Sequence, residues 1–93
     1  MAKCVVEMFG LPPGLTNLQK VEVGLKNGAA LNDLIAALRH EIPSLEGYVI
    51  CPGEDHLTES YAFNINGRFY FDDRELQLQD GDRVALLTLA VGG

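Results

Sequence analysis

The chain has 93 residues, 47% of them hydrophobic, and a formal net charge of -6 at pH 7. A chain of this length builds one domain around one small core, and its composition argues against disorder. The excess of carboxylates disfavours nucleic acid as a partner, no segment is long enough to cross a membrane as a helix, and the N-terminus lacks the hydrophobic region of a signal peptide. Because Cys4 and Cys51 are too few for a disulfide framework, we expect one domain over residues 1–93, with free thiols, in the cytoplasm.

Two strands are predicted at the start of the chain. Residues 3–9 are rich in apolar and β-branched side chains, and residues 18–23 alternate between apolar and charged side chains, as a half-buried strand does. The glycines and prolines of residues 10–14 break the first strand. We therefore expect the two strands to form a hairpin.

A helix is predicted over about residues 30–41. Apolar side chains recur at the i, i+3, i+4 and i+7 positions of one helical face, namely Leu31, Leu34, Ile35 and Leu38. Asp33 lies in the first turn, where its charge interacts favourably with the helix dipole. Ala30, the expected N-cap, has no side-chain oxygen, and Pro43 ends the helix.

Three strands are predicted in the second half. Residues 61–65 and 68–71 are joined by Asn66 and Gly67, a strong hairpin signal. The last strand, residues 83–89, has apolar side chains at both odd and even positions, and therefore on both of its faces. We therefore expect it to be central, covered on both faces, and parallel to the first strand.

The connections between these elements are less regular. Residues 48–50 suit either a short strand or a turn that covers the core, and Leu76 and Leu78 are expected to fill the core from a connecting turn. The polar loop near residue 53 contains residue types found in metal sites and in nucleophile–base pairs: Cys51, Glu54, Asp55 and His56. Because a full tetrahedral ligand set is absent locally and the loop looks solvated, we expect no metal there.

The sequence ends in Val91, Gly92 and Gly93, directly after the last predicted strand. Glycines make a thin tip that adopts backbone angles other residues avoid. Such a tip can enter a narrow cleft and present its C-terminal carboxylate to a partner's chemistry. The alternative is a frayed terminus without a function. We favour a flexible, functional tail over residues 90–93.

Several segments together resemble the β-grasp sulfur-carrier family, which includes the small subunit of molybdopterin synthase and the thiamine sulfur carrier and has the fold of ubiquitin. They are residues 30–38 followed by Pro43-Ser44-Leu45, residues 65–68, residues 78–86, and terminal Gly92-Gly93. The resemblance implies an α+β fold in which one main helix crosses one face of a mixed sheet.

The resemblance also implies that the chain is a carrier and not an enzyme, with no bound cofactor. A ubiquitin-activating-like partner would use ATP and magnesium to adenylate the carboxylate of Gly93. Sulfur would then displace AMP and leave a thiocarboxylate for cofactor biosynthesis of the molybdopterin type, with a molybdopterin-synthase large subunit as a candidate second partner. Two alternatives remain open: a ubiquitin-like modifier joined to target proteins through Gly93, and a non-covalent β-grasp interaction module.

Docking of such partners requires an exposed surface near the last strand. The candidate side chains are apolar and lie on or beside predicted strands, namely Phe9, Leu11, Phe69, Phe71, Leu87 and Leu89. An acidic surround is expected from Asp72, Asp73, Asp80 and Asp82. For each aromatic side chain the alternative is packing in the core.

Overall fold

A computed structural model describes residues 2–11, 14–16, 18–70 and 76–89 of the chain. Within those residues the elements are β1 (Ala2–Phe9), β2 (Lys20–Leu25), the helix α1 (Leu31–Glu41), a short 3-10 helix (Pro43–Leu45), β3 (Tyr61–Ile65), β4 (Arg68–Tyr70) and β5 (Arg83–Thr88). The strands form one mixed sheet in the order β2-β1-β5-β3-β4. This is the predicted α+β arrangement, and the predicted order of elements is confirmed.

The last strand is central in the sheet. β5 lies between β1, to which it is parallel, and β3, to which it is antiparallel. Leu87 is therefore opposite Phe9 on one side and opposite Ala62 on the other. The prediction of a last strand that is parallel to the first and next to it is confirmed.

The core lies between α1 and one face of the sheet. The four apolar side chains of the predicted helical stripe are all buried, and they belong to the same cluster as alternate residues of β1 and β5. That cluster includes Val6, Met8, Val84 and Leu86, together with the fully buried Phe63 of β3. Burial of each large aliphatic side chain contributes about 1.5–3 kcal/mol, so this shared core is what holds the helix on the sheet.

The start of α1 is stabilised by Asp33. Ala30 is the N-cap and makes no side-chain hydrogen bond. The backbone amide of Ala30 instead donates to Oδ2 of Asp33 at 3.0 Å, which is one of the two hydrogen bonds of a capping box. Asp33 thus satisfies a free amide besides interacting with the helix dipole.

One expectation about β5 is wrong. The strand was expected to be covered on both faces, and the described residues cover only one. Val84 and Leu86 are buried in the core cluster that includes the apolar side chains of α1, whereas Ala85 and Leu87, which point the other way, are only half-buried. The apolar character of the second face therefore reflects an exposed apolar surface and not a second packed layer.

The connecting segments show smaller differences from the prediction. β2 begins at Lys20, and Leu18 precedes it with 49% of its surface exposed. Residues 48–50 form a turn with isolated bridges, and this turn buries Val49 and Ile50 completely. Leu78 is fully buried as predicted. No helix in the described ranges is long and apolar enough to cross a membrane.

The turn between β3 and β4 has the predicted two-residue form. Asn66 and Gly67 both have positive φ, at 53° and 93°, and the Gly67 amide donates to Oδ1 of Asn64 at 2.9 Å. A Cβ at Gly67 would meet no atom within 4 Å. Any cost of adding a side chain there is therefore backbone strain and not a clash.

We expect Gly67→Val to lower the free energy of unfolding by about 1–3 kcal/mol, because a β-branched residue strongly resists positive φ. Gly67→Asn is the matched control, since asparagine tolerates the left-handed region, and it should cost clearly less. Chemical denaturation measures both values. Equal stability of the valine and asparagine variants would contradict the turn geometry.

Candidate functional site

The sheet face opposite α1 carries a patch of apolar side chains. We call the patch formed by Val5, Phe9, Phe69, Leu87 and Leu89 the open face. Four of its members are exposed despite being large and apolar: Val5 by 38%, Phe9 by 51%, Phe69 by 52% and Leu89 by 38%. Leu87 is half-buried. Large exposed apolar side chains gathered on one surface are typical of a protein–protein contact.

The register of the strands brings these side chains together. Phe9 and Leu87 are directly opposite each other across β1 and β5, so their side chains lie on the same face. Ala85 is two residues before Leu87 and so lies on the same face of β5. Asn64 is opposite Ala85, and Phe69 is opposite Asn64, so Phe69 lies on that face too. Ala62, opposite Leu87, is fully buried although it lies on the side away from α1. Phe9, Leu87 and Phe69 thus lie on one face of the sheet, with the small Ala62 between the strands that carry Leu87 and Phe69.

Two other predicted docking residues are placed differently. Leu11 follows β1 and is half-buried, and it packs against the core cluster, so it belongs mainly to the core. Phe71 lies outside the described residues. Of the predicted docking residues, the structure therefore places Phe9, Phe69 and Leu87 on the same face of the sheet, with Leu89 just after β5.

The acidic residues before β5 are used locally. Asp80 accepts a hydrogen bond from the Lys3 amide at 2.8 Å, and Asp82 accepts one from the Gln79 amide at 2.8 Å. They lie before Arg83, whereas Leu87 and Leu89 are at the opposite end of the strand. Asp80 and Asp82 therefore fix the turn into β5, at the end of the strand away from Phe9 and Leu87, and an acidic surround of the apolar patch stays a prediction. Asp72 and Asp73 lie outside the described residues.

The end of β5 is held by contacts on both sides. The amide of Leu89, just after the strand, donates to the carbonyl oxygen of Ser60 at 2.6 Å. On the other side, Gly10 has a φ of 72°, and a Cβ there would come within 2.5 Å of Cγ2 of Thr88. Glycine at position 10 lets β1 end close against β5. The point from which the chain continues toward the predicted tail is thus rigidly fixed beside the open face.

Val91, Gly92 and Gly93, the residues predicted to carry the chemistry, lie outside the described residues. The described part of the chain nearest to them is Thr88 and Leu89, beside the open face.

An ion-pair cluster on α1 could not be anticipated from the sequence. Arg39 lies near the end of the helix, and its Nε is 2.6 Å from Glu46 Oε2 while one terminal nitrogen is 2.6 Å from Asp55 Oδ1. The other terminal nitrogen donates to the carbonyl oxygen of Glu54 and, at 3.5 Å, to that of Cys51. The hydrogen bond to Asp55 raises the pKa of the Arg39 guanidinium, so it stays charged. Arg39 thereby fastens the loop of residues 51–56 to the helix.

The two thiols differ in their surroundings. Cys4 is fully buried in the core, and its pKa is raised by that burial and by the nearby charges of Asp82 and Asp80. A raised pKa keeps a thiol protonated and unreactive. Cys51 is half-buried at the edge of the loop that Arg39 fastens. Of the two, Cys51 is therefore the one placed for chemistry with solvent species.

Comparison with known proteins extends these observations. A sequence model described as the ThiS family matches residues 6–93. No curated protein sequence matches the chain.

Solved structures share the fold at low sequence identity. SAMP1, a small archaeal modifier protein from Haloferax volcanii, is 22% identical with a TM-score of 0.82, and the alignment covers 99% of this chain and 100% of that one. The putative subunit 1 of the molybdopterin converting factor from Pyrococcus furiosus is 23% identical with a TM-score of 0.74, covering 97% and 100%. A chain in the complex of subunits 1 and 2 of that factor from Helicobacter pylori is 22% identical with a TM-score of 0.62, covering 98% and 99%.

Proposed function

The chain belongs to the ThiS family, and from that membership we propose that it is a sulfur carrier whose Gly93 carboxylate is activated by a partner enzyme and converted to a thiocarboxylate. The observation that carries the proposal is the family match, which extends through the glycine pair to residue 93. The open face beside the end of β5 supports it, because a carrier must present its tail and a docking surface to the same partner.

The chemistry proposed for Gly93 explains why a partner is needed. A C-terminal carboxylic acid has a pKa of about 3.5, so at neutral pH it is an anion that resists nucleophiles. Adenylation by ATP, with release of pyrophosphate, converts it to a mixed anhydride with AMP. A sulfur nucleophile then attacks the carbonyl carbon and AMP leaves. In this proposal ATP, magnesium and the catalytic groups belong to the partner, and this chain is not an enzyme.

The open face is the proposed docking surface for the activating enzyme. Phe9 and Phe69 are large, rigid side chains, a kind often found at the energetic centre of protein interfaces. Glu7, between Val5 and Phe9 on the exposed face of β1, and Lys20, opposite it on β2, add opposite charges beside the phenylalanines. Such a polar rim around an apolar centre is the usual anatomy of an interface.

A partner in the second step is proposed by analogy. The Helicobacter pylori match comes from a complex of subunits 1 and 2 of the molybdopterin converting factor. We propose that a large subunit of that kind receives the thiocarboxylate of this chain for cofactor biosynthesis of the molybdopterin type. The same open face would serve both partners in turn.

A second candidate function is that of a ubiquitin-like modifier. It is favoured by the fold similarity to SAMP1, a small archaeal modifier protein. The modifier would use the same activated Gly93, but the acceptor would be a lysine amine of a target protein and the product an amide. Both functions begin with adenylation, and they diverge only in what attacks the activated carbonyl.

ATP–pyrophosphate exchange tests the shared step. The chain, with Gly93 as its C-terminal residue, is mixed with the activating-type enzyme from the same cells, ATP, magnesium and labelled pyrophosphate. We expect exchange that depends on the chain. Exchange that is independent of the chain, or absent with every such enzyme of that cell, would leave the non-covalent interaction module as the better account.

A further inference from the structure

The loop that Arg39 fastens brings together three different metal-binding side chains. Cys51, Glu54 and His56 each offer one ligand atom, and these atoms all lie within 4.8 Å of one another. In the part of the chain that the structure describes, no other group of three or more such residues comes this close. We propose that Cys51, Glu54 and His56 form a binding site for Zn²⁺ or a similar divalent transition metal.

The backbone of the loop is closed and fixed before any metal binds. The Cys51 amide donates to the His56 carbonyl oxygen at 3.0 Å, and the Glu54 amide donates to the Cys51 carbonyl oxygen at 3.1 Å. Arg39 contacts the carbonyl oxygens of both Cys51 and Glu54. Because these hydrogen bonds hold the backbone, little backbone entropy remains to be lost when the three side chains converge.

The Glu54 carboxylate has a different partner from the two carboxylates beside the cluster. Asp55 is paired with Arg39 at 2.6 Å, as is Glu46. Glu54 is not part of that pairing through its side chain, and its Oε2 is turned toward Nε2 of His56 at 3.2 Å. The guanidinium charge is offset by Asp55 and Glu46, which leaves the Glu54 carboxylate and the Cys51 thiolate to balance a divalent cation.

The ring of His56 is oriented as a metal ligand requires. Its Nδ1 is 3.3 Å from the carbonyl oxygen of Leu57, an acceptor, so we assign the ring hydrogen to Nδ1 from this contact. Nε2 faces Oε2 of Glu54 at 3.2 Å, so these two atoms are placed to share either a proton or a metal ion. A metal-bound histidine that donates its second ring nitrogen to a backbone carbonyl has the same arrangement.

The position of Cys51 favours a metal ion at this site over a proton shared by His56 and Glu54. A proton between His56 and Glu54 uses two acceptors, whereas Sγ of Cys51 supplies a third donor atom near both of them. Among the described residues the thiol makes one long contact, of 3.7 Å, with the Leu57 carbonyl oxygen. On metal binding it releases its proton to solvent and gains a bond as the thiolate.

The three donor atoms indicate which metal the proposed site would prefer. One sulfur, one imidazole nitrogen and one carboxylate oxygen suit Zn²⁺, whose three-ligand sites keep a fourth position for water. Ligand atoms in a tetrahedral zinc site are about 3.3–3.8 Å apart, given bond lengths of about 2.0–2.3 Å. The ligand atoms here are at most 4.8 Å apart, and the side chains of Glu54 and His56 are exposed, so they have room to rotate toward that spacing.

Cobalt substitution tests the site in the full-length chain. Metal-free, reduced protein is titrated with Co²⁺, and absorbance is followed in the near ultraviolet, where thiolate bound to Co²⁺ has a charge-transfer band. We expect one Co²⁺ per chain with this band, displacement by Zn²⁺, and a rise in the melting temperature with Zn²⁺. The Co²⁺ affinity should fall at least about tenfold in Cys51→Ser, His56→Gln and Glu54→Gln.

The chain contains its own controls, because it has only two cysteines and two histidines. Cys4 remains in the Cys51→Ser variant, so a band from Cys4 would persist there. His40→Gln removes the other histidine, which is 88% exposed, and should titrate like the parent. Unfolding curves without metal establish that the variants are folded. Absence of the thiolate band in the parent, its survival in Cys51→Ser, or unchanged affinity in His56→Gln would each overturn the proposal.

Discussion

Removal of Gly92 and Gly93 is expected to abolish adenylation while leaving the fold intact. The deletion displaces the terminal carboxylate by two residues, or about 7 Å of extended chain. Because a misplacement of about 1 Å already costs about a hundredfold in rate, the chain-dependent ATP–pyrophosphate exchange should fall below detection. The buried core described here is built from residues 2–86, so the free energy of unfolding should change by no more than about 0.5 kcal/mol.

Two further variants define what the deletion measures. One residue added after Gly93 keeps both glycines but moves the carboxylate, and it should also prevent exchange. Val91→Ala keeps the length and the carboxylate, and it should be activated at a rate close to that of the parent. Parental rates from the truncated chain would show that activation does not occur at Gly93, and the sulfur-carrier proposal would fail.

The second large effect is expected from the open face. Phe9→Ser and Phe69→Ser together remove the two most exposed phenylalanines of the described residues, at 51% and 52% exposure. If each acts as an interface anchor worth about 2 kcal/mol, the double variant should bind the activating enzyme about a thousandfold more weakly. Neither residue belongs to the core cluster, so stability should fall by only about 1 kcal/mol.

Tyr48→Ser is the matched control for this experiment. Tyr48 is an aromatic residue with 64% exposure, but it lies in the turn after the 3-10 helix and not on the sheet. Its replacement should leave the affinity unchanged. A kinetic comparison adds a second criterion. Loss of docking should raise the KM for the chain while the rate at saturation persists, whereas loss of the tail should abolish the rate at any concentration. Equal affinities of the double variant and the parent would mean that partners dock elsewhere.

Much of the fold could be predicted from local patterns. The spacing of Leu31, Leu34, Ile35 and Leu38 defines one helical face, and all four side chains are buried. Asn66-Gly67 predicted a two-residue hairpin because those two residue types accept positive φ, and both adopt it. The position of β5 followed from apolar side chains at both of its parities. In each case a short segment contains the physical cause of its own structure.

The parts that could not be predicted depend on contacts between distant segments. Arg39 and Asp55 are 16 residues apart, and nothing in the pattern around Arg39 indicates that its side chain fastens a loop. Cys51, Glu54 and His56 were recognised in the sequence as metal-type residues, but no metal was expected there, because their convergence depends on the loop closure that Arg39 stabilises. The half-burial of Leu87 was missed because apolar side chains on both faces of a strand were taken to mean that both faces are covered. A strand with one exposed docking face has the same sequence pattern.

Intact-mass spectrometry on the protein isolated from its native cells tests the central proposal most directly. A sulfur carrier is expected to contain a fraction of chains heavier than the free acid by the difference between one sulfur and one oxygen, with the change on Gly93 in the fragment spectrum. Alkylation specific for thiocarboxylates should shift that fraction further. Chains found only as the free acid and as lysine conjugates would contradict the carrier proposal and support the modifier instead.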